Sequence, residues 1–391
     1  MSTVLDRRQE RADARAVGEL LLWSIRDDHG LSPPHDPGHH GPLLMRRAGV
    51  HGIEALVVRA LAEAHQLDGL PPEVREAATQ VRIRTAARYL RLSSNLAAIA
   101  KTLDTAIGEW VLMKGPVLAE LGYRDHGLRS YVDLDILVSP GSFGQALDAL
   151  ADMGARLLDV NWKLQFSARR GQATLLFDRG PVIDLHWHPI NDGAARSSTR
   201  FDVEAALSRR RRVDFATGAG MPALDSTDNL LTVALHAGLS GGHRLIWAKD
   251  LERLIALDPP NWEEFVIRAH RGRFAVCVAV MLRRSERLAG AHVPPEVIRH
   301  LLSGRSWAVG CLAVERLAGS QHIGDSRYTG RAFVSSLRDS AYATAKSLVS
   351  QTAARVRSRN MASVGENPLR REVGGPEARR AYLAAVANRS L

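Results

Sequence analysis

The segment Tyr131–Val138 constrains this chain more than any other. Its run YVDLDILV alternates acidic and apolar residues with strict period two, and a β-strand sorts that period onto two faces. Asp133 and Asp135 then project together, while Val132, Leu134 and Ile136 turn the other way, into a core. Two carboxylates side by side repel, and one of them is driven toward protonation unless a cation is present. A hard divalent cation removes that cost, and magnesium prefers carboxylate and phosphate oxygens. Two such ions about 3.5–4 Å apart can hold the attacking and leaving oxygens of a phosphoryl displacement. The chain therefore needs a sheet with one buried face and one face open to cations and phosphate.

The flanking residues extend that requirement. Upstream, WVLM is a short apolar strand, Lys114-Gly115 a turn, and Pro116 opens the helix PVLAELGY. Amides at a helix N-terminus receive anions, and glycine lets the chain approach a phosphate closely. Lys114 offers a point charge for a triphosphate oxygen. Arg129, four residues before Asp133, offers a planar fork. Downstream, Asp178-Arg179-Gly180 signals a turn between strands, and VIDLHWH is an alternating strand that supplies Asp184 as the candidate third acid. His186 and His188 share its face by the same period. A hydrogen bond from His186 to the acids is the expectation, with an Asp-x-His-x-His transition-metal set as the alternative. Trp187, on the other face, is expected in the core.

The order strand, glycine turn, helix, basic residue, Asp-x-Asp strand, helix, hairpin with a third Asp resembles the nucleotidyltransferase core of the DNA polymerase beta superfamily. The segment LMKGPVLAELGYRDHGLRSYVDLDILV followed by VIDLHWHP is similar to the bacterial group described as uncharacterised nucleotidyltransferases. The helix RLSSNLAAIAKTLDTA and the His236…RLIWAKD segment are similar too, so the resemblance covers roughly 80–260. It implies metal binding by Asp133 and Asp135, with Asp184 either holding metal or activating the acceptor hydroxyl. It implies that Gly115 is the phosphate-turn glycine. The implied reaction moves a nucleoside monophosphate from a nucleoside triphosphate, with ATP the expected donor and two Mg²⁺ ions as cofactors. The acceptor is a hydroxyl or phosphate of a small molecule, modified peptide or protein. One departure matters: Pro116 stands where the wider superfamily has a Ser, and it has neither hydroxyl nor N–H. The triphosphate grip then rests on Lys114, Arg129 and the remaining amides.

The expected fold is α+β: a polymerase beta-like nucleotidyltransferase core, a small mixed sheet with flanking helices, between helical N- and C-terminal regions. The expected division is a helical region 1–108, the core 109–200, a helical domain 201–340 and a basic helical tail 341–391. Aromatics are only 5% of the 391 residues, so Leu, Val, Ala and Ile must build the core, and a composition rich in Ala, Leu and Arg leans helical. Residues 1 to about 15 are expected to be mobile. LSPPHDPGHHGP, with His35, His39 and His40, reads as a loop. Strands are expected near Trp162–Ala168 and Ala173–Phe177, and helices from Val203 almost to the end. His236 and His243 flank a Gly-rich helix connection, and Lys249 and Asp250 follow on the next helix, facing either the cleft or solvent. Arg209 to Arg212 reads as a solvated charge run.

Several classes are disfavoured. Two cysteines, Cys277 and Cys311, give no disulfide framework, and a reducing, cytoplasmic setting is the expectation. The charged start MSTVLDRRQERADAR is unlike a secretory signal. The longest apolar run, Phe274–Leu282, falls short of the roughly 20 residues of a membrane span. The net charge of +10 attracts triphosphates and acidic partners, which suits an acidic or phosphorylated acceptor. A nucleic-acid partner is not favoured, because the basic segment 352–391 carries Tyr382 as its sole aromatic. Two other readings remain: a non-catalytic nucleotide- or partner-binding module retaining the fold, and a toxin-like transferase acting on tRNA.

Overall fold

The computed structural model describes residues 3–27, 32–123, 125–178, 180–216, 218, 220–319, 330–361 and 367–391. The chain opens with helices α1 (Thr3–Ile25), α2 (Pro37–His51), α3 (Glu54–Glu63), α4 (Pro72–Ser93) and α5 (Leu96–Ala106). The core follows: β1 (Trp110–Met113), α6 (Gly115–Gly122), β2 (Asp133–Val138), α7 (Phe143–Asp152), β3 (Arg156–Leu157), α8 (Trp162–Ser167), β4 (Gln172–Leu176) and β5 (Val182–His186). Next come α9 (Gly193–Arg196), α10 (Val203–Ser208), β6 (Arg211–Asp214) and β7 (Gly220–Ala223). The remainder is helical: α11 (Ser226–Leu239), α12 (Leu245–Leu257), α13 (Trp262–Arg271), α14 (Ala275–Ala289), α15 (Pro295–Leu301), α16 (Ser306–Gly319), α17 (Arg331–Ser336), α18 (Ala341–Met361) and α19 (Gly375–Ala387).

All seven strands join one mixed sheet in the order β3-β4-β5-β2-β1-β7-β6. The central strand β2 runs antiparallel to β1 and parallel to β5, setting Asp135 beside Asp184. Its alternation sorts the faces as the pleat requires. Leu134 and Ile136, with Trp110, Leu112, Ile183 and Leu185, are buried in a core closed by α5, α7 and α19. On the opposite face, Leu137, Val111 and Met113 pack on Ala206 and Leu207 of α10. The acids lie further along that same face. A second, larger core joins α1–α3 to α11–α15. The apolar run Phe274–Leu282 falls in it and is buried throughout, which accounts for its composition. Among the described residues no helix is long and apolar enough to cross a membrane.

The architecture is the expected α+β arrangement, with local differences. Val132 is 60% exposed rather than in the core, because β2 begins only at Asp133. The segment Trp162–Ser167 is a helix, not a strand: Asn161 caps it by accepting from Leu164 N at 3.1 Å, and its buried positions are Trp162 and Gln165, one turn apart. Strands β6 and β7 interrupt a stretch expected to be helical, and β7 pairs in parallel with β1. Helix α1 already covers Thr3–Ile25, where mobility was expected to about residue 15. Helix α2 takes in His39 and His40, because Asp36 caps its first turn and Pro37 preforms it. In the turn expected at Asp178-Arg179-Gly180, Arg179 lies outside the described residues.

Candidate active site

The pleat and the parallel β2–β5 register bring Asp133, Asp135, Asp184 and His186 to one sheet surface. Asp135 is the most enclosed of the acids. Its Oδ1 receives Lys114 Nζ at 2.6 Å and faces His186 Nε2 at 2.8 Å. Burial pushes its carboxyl up, but Lys114 and His186 overcome that effect and hold it well below the usual carboxylate range. Asp133 is pushed the other way, up to about 6, by burial and by the neighbouring charges of Asp135 and Asp184. The two environments differ because Lys114 bonds Asp135 alone. Asp184 is held by both oxygens: Thr174 Oγ1 donates to Oδ1 at 2.7 Å and Gln172 Nε2 to Oδ2 at 2.8 Å. Both donors come from β4, where period two aims residues 172 and 174 at the acid face.

Lys114 and Gly115 close the surface on the β1 side. Lys114, not Gly115, has the left-handed backbone, with φ 52° and ψ −123°. Gly115 is required for a different reason: a Cβ there would sit 2.5 Å from Tyr131 Cβ. The lysine turn is thereby pressed against the residues that lead into β2.

Arg129 is engaged by the far wall rather than turned to the acids as a free fork. Its Nε donates to Asp250 Oδ1 at 2.8 Å and Oδ2 at 3.0 Å, and its Nη1 donates to the Ser130 carbonyl at 2.6 Å. Tyr123 completes the cluster, donating to Asp250 Oδ1 at 2.9 Å, and Asp250 raises the Tyr123 pKa after burial has done so. Asp250 thus faces the cleft. Lys249, itself buried, turns away into ion pairs with Asp27 and Glu252.

These groups line one cleft of about 1080 Å³ between the sheet, α11–α12 and α18. Lys114, Gly115, Arg129, Asp133, Asp135, Asp184 and His186 all open on it. His236 of α11 joins them, and burial and Lys114 push its pKa down to about 3. His188 departs from the expected face because β5 ends at His186. Its Nδ1 accepts from Ile190 N at 3.1 Å, and burial followed by Arg196 lowers its pKa to about 3. Trp187 is buried, as a core residue. Sequence reasoning missed Gln172, Thr174 and Arg88. The first two carried a signal in the alternation of QATLL. Arg88 reaches the cleft from a distant helix, donating to Ser130 Oγ at 2.9 Å.

Asp135, Asp184 and His186 bring one ligating atom each to within 4.8 Å of one another. His186 Nδ1 is buried without a hydrogen-bond partner among the described residues. A second such group, Asp13, His39 and His40, joins α1 to α2 and does not line the cleft. Three of the four arginines in the run are paired, Arg209 with Asp228, Arg210 with Glu109 and Arg211 with Asp258, while Arg212 is exposed as expected of a solvated run.

A family model described as "Uncharacterised nucleotidyltransferase" matches residues 40–290. No curated protein matches the chain.

Proposed function

We propose, for a chain that belongs to the uncharacterised nucleotidyltransferase family, that the three-acid surface is where it moves a nucleoside monophosphate from ATP or another triphosphate onto an acceptor. Family membership supports the transfer chemistry and the enzyme class. The observation that carries the site is the pairing of Asp135 with Asp184 across two parallel strands, with Lys114 2.6 Å from Asp135.

The donor set fits magnesium. It offers hard carboxylate oxygens, and the raised Asp133 carboxyl reports an excess of negative charge that a divalent cation would neutralise. Asp133, Asp135 and Asp184 would hold the ions, whose chemistry is charge neutralisation of the triphosphate and its leaving pyrophosphate. The chain's own groups do the rest by positioning and electrostatics. Thr174 and Gln172 lock both Asp184 oxygens, so that carboxylate meets an acceptor hydroxyl in one orientation. Lys114 supplies a cation beside the acids and His186 steadies Asp135. Pro116 removes one amide from the α6 N-terminus, which leaves Lys114 the main protein charge for triphosphate oxygens. The acceptor hydroxyl or phosphate attacks the α-phosphorus, the α–β bridging bond breaks, and pyrophosphate leaves.

Incubation with magnesium and either α-labelled or γ-labelled ATP tests this. Label passing to the acceptor fraction only from the α position, with pyrophosphate released, is the expected result. Transfer of the γ label alone would mean a kinase.

A further inference from the structure

Arg244 lines this same cleft and makes no ion pair among the described residues. It stands immediately before α12. Its Nε is buried and has no hydrogen-bond partner among the described residues. Two other cations of the cleft are paired with carboxylates, Lys114 with Asp135 and Arg129 with Asp250. Its side chain is nonetheless held in place from two sides. The guanidinium carbon lies 5.9 Å from the centroid of the Trp247 ring, within cation–π range. On the other side is Gly52, the left-handed cap of α2, where a Cβ would approach Nη2 to 2.6 Å. Burial, and then Arg129, lower its pKa. Leaving a buried donor unpaired is costly. A clamped, unpaired arginine lining a substrate cleft is accounted for by an anion that comes and goes.

The position within the cleft narrows which anion. Arg244 stands on the helical wall of the cleft, between the α2 cap and the start of α12, whereas the three acids lie on β2 and β5. The cleft, of about 1080 Å³, extends from the acid-bearing strands to this wall, just above the roughly 300–1,000 Å³ of single-ligand sites.

We propose that Arg244, clamped between Trp247 and Gly52, anchors a phosphate or carboxylate group of the acceptor while the triphosphate occupies the acid end. This rests on the nucleotidyltransferase reading of the site. The test uses the full chain and two titrations on the wild type, Arg244→Gln, Arg244→Lys and Asp133→Asn. The first titrates inorganic phosphate, and separately acetate, in metal-free buffer, where the acids repel anions. At least one probe should bind the wild type, at least tenfold more weakly Arg244→Gln, and with intermediate strength Arg244→Lys, which keeps the charge but loses the fork. Asp133→Asn should bind it as well as the wild type or better. The second titrates a non-hydrolysable ATP analogue with magnesium. Arg244→Gln should match the wild type within twofold, while Asp133→Asn loses binding. Equal anion binding by Arg244→Gln and wild type, or none by the wild type, overturns the proposal. So does a marked drop in the melting temperature of Arg244→Gln, which would make the arginine structural. Nucleotide binding that falls tenfold in Arg244→Gln assigns the anion to the donor and overturns the acceptor assignment. Arg244-dependent anion binding without any nucleotide binding defeats the active-site reading and leaves the anion site standing.

Discussion

Lys114 holds a backbone conformation that glycine adopts freely and other residues adopt at a cost of about 1–3 kcal/mol, while Gly115 beside it does not have positive φ. A strained lysine persists where a relaxed glycine would fit because its ammonium neutralises Asp135. Lys114→Gly and Lys114→Ala both remove that ammonium, but only the glycine releases the strain. Both variants should lose transferase activity. Lys114→Gly should be more stable than Lys114→Ala by about 1–2 kcal/mol in urea denaturation, and equal stability would contradict this reading. Asp133 gives a second prediction. Its folded pKa of about 6 lies above the ordinary value of 3.8, so the folded state holds the proton more tightly than the unfolded chain. Its carboxylate therefore imposes no penalty below pH 4, and opposes folding increasingly as pH rises to about 6. Above that pH the penalty is on the order of 3 kcal/mol. Asp133→Asn should raise the melting temperature at pH 7.5 in EDTA, with the gain disappearing near pH 4. A gain that persists at pH 4 would point to packing instead. At this scale the three acids were legible because period two alone aims them. Arg88 and Arg244 were not, and Asp250 stayed open between cleft and solvent, because their placement depends on contacts between distant helices that no local spacing encodes.

The elements show the same division. Strands β2, β4 and β5 and the long helices followed from periodicity, and β1, buried on both faces, from its apolar run. Helix α8 did not, because Trp-Lys-Leu-Gln-Phe alternates like a strand and only its Asn161 cap and the contact with α19 favour a helix. Strands β6 and β7 were obscured by the arginines, three of which form ion pairs to Asp228, Glu109 and Asp258. Helix α19 lies in a basic tail yet buries Tyr382 completely. The Tyr382 hydroxyl accepts from Trp187 Nε1 at 2.9 Å and donates to the Arg170 carbonyl at 2.7 Å. Trp187 Nε1 reaches that same carbonyl at 3.0 Å, so losing the hydroxyl strands neither partner. Tyr382→Phe should therefore cost only about 1 kcal/mol. Tyr382→Ala should cost about 3–5 kcal/mol through the cavity it leaves. Equal losses by thermal denaturation would show that α19 is docked by the hydroxyl rather than by ring packing.

Across the whole molecule, one helical body built from the N-terminal helices and α11–α15 closes over the acid face of a single sheet. Helices α1–α3 and α11–α15 share one apolar core, so the cleft has walls from residues far apart in sequence. The Arg129–Asp250 pair ties the approach to β2 onto α12, which fixes the distance between sheet and bundle. The family match at residues 40–290 spans the sheet and much of this bundle, beyond the sheet-bearing segment alone. The proposed activity turns on Asp133, Asp135 and Asp184 acting as one metal-and-triphosphate site. Manganese binding is followed by electron paramagnetic resonance, with and without a non-hydrolysable ATP analogue. The analogue should tighten manganese binding to the wild type, and Asp133→Asn and Asp184→Asn should each weaken it by at least tenfold. Variants that bind manganese and nucleotide as the wild type does would contradict that assignment.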